Sequence, residues 1–193
     1  MLEQQIASGD ILVFSGSIAP GLPVDAYREL IALSNAKGAM VLLDSSGPPL
    51  RLGMAAGPFV VKANKTEAEE LTGLVLQDEA REWEALRRIL EFPGLAHGVI
   101  SLGARGMIAG NHASGWRLRV PMDPGEVKDT VGCGDTLVAG LVLGLKQEMN
   151  TPDLYRFAIA CASAAAVQTG PGRFVKNAVE AMLARVECEP GIG

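Results

Sequence analysis

The sequence has no closely spaced pair of cysteines. Its three, Cys133, Cys161 and Cys188, are odd in number and far apart, which argues against both a disulfide framework and a CxxC zinc site. Histidine is scarcer still: His97 and His112 stand alone, are expected in surface or loop positions, and are assigned no chemistry. No apolar stretch approaches the length that spans a bilayer, so no membrane association is expected. Residues 1–10 are polar and carry neither the basic start nor the apolar core of a secretory leader, so a cytoplasmic location is expected. Blocks of charge are missing too. The net charge of −5 comes from scattered acids, and no Lys/Arg cluster is long enough to follow a nucleic-acid backbone. Nucleic acid is therefore not an expected partner.

What remains is apolar and regular. With 193 residues, 48% hydrophobic and 20% charged, the chain can bury one sizeable core, and a single α/β domain over residues 1–193 is expected. Residues 11–14 form a short apolar run stopped by Ser15-Gly16-Ser17, and a Pro/Gly loop then leads to helical spacing over 24–35. Gly38 suits the cap of that helix, and residues 40–43 read as a buried strand delivering Asp44 at its end. A short helix near 50–56, a strand over 59–62, a helix over 65–72 stopped by Gly73 and a helix over 78–91 follow. Residues 98–102 read as another strand, and 106–109 and 116–120 alternate like a hairpin or sheet edge. The rest reads as helical, over 133–147, 152–168 and 175–186, with the alanines around 158–166 implying tight packing. Alternating strands and helices with a helical tail predict a layered α/β fold around a largely parallel sheet, whose ligands sit at the C-terminal ends of strands.

The densest chemical signal is Asp129-Thr130-Val131-Gly132-Cys133-Gly134-Asp135, which opens a long apolar helix. Small residues let successive amides turn inward, and a first helical turn adds unpaired N–H donors and partial positive charge, so an anion such as a phosphate would be held there. A carboxylate beside such an anion repels it unless it has work to do. In transfer from ATP to an alcohol, a carboxylate in reach of the attacking hydroxyl contributes about 10²–10⁴ in rate, which makes Asp135 the candidate base. The competing explanation is structural, since Asp, Thr and Gly are ordinary residues at a helix start.

Other strand ends carry weaker signals. Asn64 and Glu67 place an amide and a carboxylate one turn apart, able to hold Mg²⁺ through its water shell, although the same pair makes a capping box that needs no ligand. Ser101, Gly103 and Gly106 bring backbone close to a planar or phosphorylated ligand, or make a tight turn. Ser15, Gly16 and Ser17 offer hydroxyls at a strand end, or simply terminate it, and Gly170-Pro171-Gly172 reads as a break between helices.

Taken in order, these segments resemble the ribokinase/PfkB family of carbohydrate kinases. The resemblance rests on "DTVGCGDTLVAGLVLGL", then on "NKTEAEELTG" and "ISLGARG", and runs from "FSGSIAPGLPVDAY" to the final helix. The Ser-Gly-Ser loop followed by Pro-Gly is similar to the branch acting on sugar phosphates, the 1-phosphofructokinases and tagatose-6-phosphate kinases. The resemblance implies Asp135 as catalytic base and the amides of Gly132, Cys133 and Gly134 as an anion hole. It implies Asn64 and Glu67 for Mg²⁺, Ser101, Gly103 and Gly106 for ATP, and Ser15, Gly16 and Ser17 for the sugar phosphate. It also implies a monovalent-cation site, K⁺, at backbone oxygens of Asp129, Val131, Ala165 and Gly170.

Three departures stand out. Cys133 replaces the family's usual alanine, and Lys62-Ala63-Asn64 replaces Lys-Pro-Asn. A small thiol is tolerated where only backbone is used; a helix N-terminus is expected to acidify it if it is exposed, the alternative being a buried small residue. The third is that the chain matches a family member from its middle onward, so N-terminal strands, most sugar contacts and the lid are expected to be missing. Activity would then need an N-terminal half, supplied by another polypeptide or by a longer protein of which this sequence is a fragment, and the exposed sheet edge invites such a partner or a homo-oligomer. The alternatives are a non-catalytic nucleotide-binding remnant or interaction protein, and a ribokinase-like or nucleoside kinase of the same family.

Overall fold

The computed structural model describes residues 2–191. Seven strands form one sheet in chain order: β1 Ile11–Ser15, β2 Met40–Asp44, β3 Val60–Asn64, β4 His97–Ser101, β5 Met107–Gly110, β6 Gly115–Arg119 and β7 Glu187–Pro190. The helices are α1 Ala26–Ala36, α2 Gly47–Met54, α3 Lys65–Thr72, α4 Glu79–Leu90, α5 Cys133–Lys146, α6 Asp153–Ala166 and α7 Lys176–Leu183. The chain packs as two compact units. Unit 1 runs through Ser101 and takes up Ile108–Gly115, and unit 2 comprises Leu102–Met107 and Trp116–Gly191.

In unit 1, β1 to β4 pair in parallel, each strand an apolar run joined to the next through helices. β2 and β3 are buried almost throughout, with Val41, Leu42, Leu43, Val60, Val61 and Ala63 at 1% exposure or less, so a parallel strand here reads as a hydrophobic run rather than an alternation. The register pairs Ser15 with Asp44 and Asn64 with Ser101, so the carboxyl ends of the four strands present these polar residues at one end of the parallel strands. α3 starts where β3 stops because Asn64 and Glu67 form the reciprocal capping box, and it ends at Gly73 in the left-handed conformation.

In unit 2, α5 and α6 pack closely. A side chain on Gly140 would come within 2.8 Å of the Ala158 Cα, so glycine on one helix and alanine on the other let the backbones approach. The alanine-rich stretch serves that contact: Ala158, Ala160 and Ala164 are fully buried.

Two expectations are corrected. The tail is not wholly helical, because α7 stops at Leu183 and Glu187–Pro190 forms β7, antiparallel to β6 through pairs such as Leu118 with Cys188. An exposed Glu-Cys-Glu-Pro edge strand has no apolar period to betray it. His97 is not a loop residue; it opens β4, part-buried with its ring 5.5 Å from that of Phe59, and burial lowers its pKa. His112 does lie outside the regular elements, its Nε2 2.8 Å from the Leu95 carbonyl oxygen.

Candidate active site

The turn before α5 is built from local bonds. The Lys128 and Asp129 N–H groups both donate to the Ala166 carbonyl at the end of α6, at 2.8 and 3.2 Å. Asp129 Oδ1 accepts from the Val131 N–H at 2.9 Å, and Gly132 then takes the left-handed conformation, φ 79°, as the residue preceding α5. Glycine is required at 132 twice over: the positive φ disfavours a side chain, and a Cβ would lie 2.8 Å from the Gly172 nitrogen. The buried Thr136 closes the turn, its N–H and hydroxyl both donating to the Gly132 carbonyl at 2.9 and 2.8 Å.

Among the described residues, the N–H groups of Gly132, Gly134 and Asp135 have no acceptor. The Cys133 N–H is different, because it donates to the Thr130 carbonyl at 3.3 Å. The Asp135 side chain, in the first helical turn, is exposed and makes no hydrogen bond or ion pair among the described residues. Open donors beside a free carboxylate are what an incoming anion and an incoming hydroxyl need. At Cys133 the buried alternative applies: burial, with the Asp129 carboxylate adding, pushes the thiol pKa up rather than down, and Sγ lies 3.8 Å from the Asp129 carbonyl oxygen.

At the strand ends of unit 1 the polar atoms are mutually engaged. Glu67 Oε2 accepts from the Asn64 N–H at 2.7 Å, and Asn64 Oδ1 accepts from the Glu67 N–H at 3.0 Å. The other carboxylate oxygen of Glu67 has no donor among the described residues. Burial raises the Glu67 pKa, opposed by the Asn64 bond and by Lys62, while Asp44 and Glu70 push it up further. Lys62 Nζ donates to Asp44 Oδ1 at 3.0 Å in an ion pair whose side chains are about one-tenth exposed. Nothing in the sequence pairs Asp44 with Lys62 directly. A lysine embedded in an apolar strand run, two residues before Asn64, was the available signal.

Ser15, Gly16 and Ser17 are exposed at the end of β1. The Gly16 N–H donates to the Asp44 carbonyl, and the Gly16 carbonyl accepts from the Ser45 hydroxyl, both at 2.8 Å. Tyr27 donates its hydroxyl to the Ser15 carbonyl at 3.1 Å. At β4, Ser101 ends the strand and Gly103 opens a tight turn; Gly106 is imposed by packing, since its Cβ would collide with the Leu118 carbonyl. Among the carbonyls expected to hold K⁺, that of Asp129 accepts one bond, that of Ala165 accepts from the N–H groups of both Val167 and Gln168, and those of Val131 and Gly170 accept none among the described residues. Among the described residues no three His, Cys, Asp or Glu side chains gather into a metal site, and no helix is long and apolar enough to cross a membrane.

The family model of the pfkB carbohydrate kinases matches residues 1–178. The chain belongs to the pfkB family. This pfkB chain is 33% identical over 181 residues to the 1-phosphofructokinase of Escherichia coli K12, covering 94% of its own length and 57% of that relative. It is 28% identical over 176 residues to the 1-phosphofructokinase of Bacillus subtilis, again covering 57% of it. The chain thus spans somewhat more than half the length of these curated relatives. The crystal structure of phosphofructokinase-2 from Escherichia coli in complex with potassium superposes with a TM-score of 0.88 at 28% identity, over 95% of this chain and 59% of that one. The layered α/β fold with its largely parallel sheet is therefore that of the ribokinase-like pfkB kinases.

Proposed function

We propose that this chain carries the phosphoryl-transfer machinery of an ATP-dependent kinase acting on a hydroxyl of a sugar phosphate, of the 1-phosphofructokinase or tagatose-6-phosphate kinase type. The observation that carries this reading is the turn at 132–135, where unpaired amides at the start of α5 adjoin the free carboxylate of Asp135. The amides of Gly132 and Gly134 hold the anionic group in transfer, and Asp135 takes the proton from the attacking hydroxyl. The Cys133 amide joins them only by giving up its bond to Thr130. Family membership and the two 1-phosphofructokinase relatives support the reaction class.

Mg²⁺, which neutralises phosphate charge in such reactions, fits the donors present, with Glu67 and Asn64 holding it through its water shell. The capping box uses the single side-chain oxygen of Asn64, leaving it one lone pair, and one oxygen of Glu67, whose second oxygen faces no protein donor among the described residues. K⁺ fits the carbonyls of Val131 and Gly170, which accept no bond among the described residues, and the lone pair left on that of Asp129, whereas the Ala165 carbonyl joins them only by giving up one of its two N–H donors. Ser101, Gly103 and Gly106 border the nucleotide, and Ser15 to Ser17 the sugar phosphate. The acceptor contacts and the lid are assigned to a second polypeptide or a further segment supplying the remaining family strands, and the assembled kinase to a homo-oligomer or such a hetero-complex.

The test is to assay the chain with and without a pfkB-family N-terminal half, using Mg-ATP with fructose 1-phosphate or tagatose 6-phosphate. Turnover that appears on mixing and disappears in Asp135→Asn, with calorimetric Mg-ATP binding retained, supports the proposal. Full turnover by Asp135→Asn refutes the base assignment, binding without turnover on any sugar favours a nucleotide-binding remnant, and no nucleotide binding refutes both readings.

A further inference from the structure

Unit 2 contains an ion pair that the proposed chemistry leaves unused. Arg185, two residues beyond α7, donates through Nη1 to Glu126 Oε1 at 2.8 Å and through Nη2 to Glu126 Oε2 at 2.9 Å. Nη2 also donates to the Pro121 carbonyl. Glu126 is tied a second time, because the Asp123 N–H donates to its Oε2 at 2.8 Å while its own N–H returns to the Asp123 carbonyl at 2.9 Å. One planar guanidinium therefore fixes both ends of the 121–126 loop. Two residues later the chain reaches its next anchor, the paired bonds from Lys128 and Asp129 to the Ala166 carbonyl, and then the turn that ends in Asp135.

We infer that Arg185 is a positioning residue for nucleotide binding, holding through Glu126 and Pro121 the segment that sets the placement of the 132–135 amides. The inference rests on the proposed kinase reading. An exposed ion pair ordinarily contributes little to global stability, and these side chains are 38% and 36% exposed. The three-acceptor geometry is what sets this pair apart: a guanidinium fork satisfies both carboxylate oxygens and a carbonyl at once, whereas a lysine ammonium is a point charge without that planar match. The Arg185 bonds, helped by the Asp123 N–H, hold the Glu126 pKa down to about 2, so the clamp stays charged at every working pH. Between residues 119 and 133 there is no helix or strand to fix the backbone, which leaves its placement to these few bonds.

The experiment uses the full chain as wild type, Arg185→Ala and Arg185→Lys, with two readouts. Hydrogen exchange should accelerate about tenfold or more in the amides of 127–135 of Arg185→Ala, with β1 to β4 keeping their protection. Calorimetry with Mg-ATP should show affinity weakened about tenfold in Arg185→Ala, the size expected when donors move by a fraction of an ångström, and Arg185→Lys should recover only part of it. Faster exchange everywhere overturns the inference, because the clamp is then merely structural. Equal Mg-ATP affinity in wild type and Arg185→Ala overturns it while leaving the kinase reading standing. A wild-type chain that binds no Mg-ATP overturns both.

Discussion

Asp44, Lys62, Asn64 and Glu67 direct most of their polar atoms at one another, while the turn before α5 has three amides and a carboxylate with no partner among the described residues. Both regions carry family motifs, yet they differ in what the fold alone explains. The strand-end cluster of unit 1 would be stable with no ligand. The turn in unit 2 would be better satisfied with an anion on it, since open donors at a helix start are the usual lodging of a phosphate. The difference teaches that a motif points to a ligand most strongly where its polar groups lack protein partners.

The largest effect that can break this comparison is on turnover. Asp135→Asn should lower kcat of the assembled kinase by about 10²–10⁴, the usual contribution of a positioned base, with little change in melting temperature because the side chain is exposed and makes no hydrogen bond or ion pair among the described residues. A large fall in melting temperature would show that the carboxylate is structural after all.

Lys62→Met tests the other side. Removing one member of a buried pair leaves Asp44 uncompensated and should cost about 3–5 kcal/mol in urea unfolding, whereas Lys62→Met with Asp44→Leu should recover most of that. If the double variant stays folded but binds Mg-ATP far more weakly, the strand-end cluster is a ligand site as well as a structural one, and the contrast with unit 2 narrows. Gly132→Ala is expected to fall between the regions in kind. The left-handed φ and the 2.8 Å approach to Gly172 predict a loss of about 1–3 kcal/mol, accompanied by weaker Mg-ATP binding because the amides shift with the backbone.

These residues also show what the sequence could reveal. The helix over 65–72, its Asn64 start and its Gly73 stop were legible because capping chemistry is local. The parallel sheet was legible because buried strands read as apolar runs bounded by turns. The Asp44–Lys62 pair was not, since it joins two strands 18 residues apart and depends on register. The packing of Gly172 against Gly132 was hidden for the same reason: a Gly-Pro-Gly break looks alike whether it faces solvent or a neighbouring turn. At Cys133 burial, joined by the Asp129 carboxylate, raises the thiol pKa, and sequence alone does not report burial.

The smallest expected effect separates stability from chemistry within unit 1. His97 opens β4, four residues before Ser101 and so about 13 Å from the strand end that carries the candidate ligands. Burial lowers its pKa below the ordinary 6.5, so the unfolded chain takes up the proton first as the solution is acidified. Above that pH both states are neutral at this residue and its contribution to stability is complete. Below it, stability should decline until the folded-state pKa is reached and then level off. His97→Gln should flatten this part of the curve of urea midpoint against pH while leaving Mg-ATP affinity unchanged. A changed affinity would mean that the two ends of β4 are coupled, and that a residue remote from the strand's carboxyl end helps to set the site.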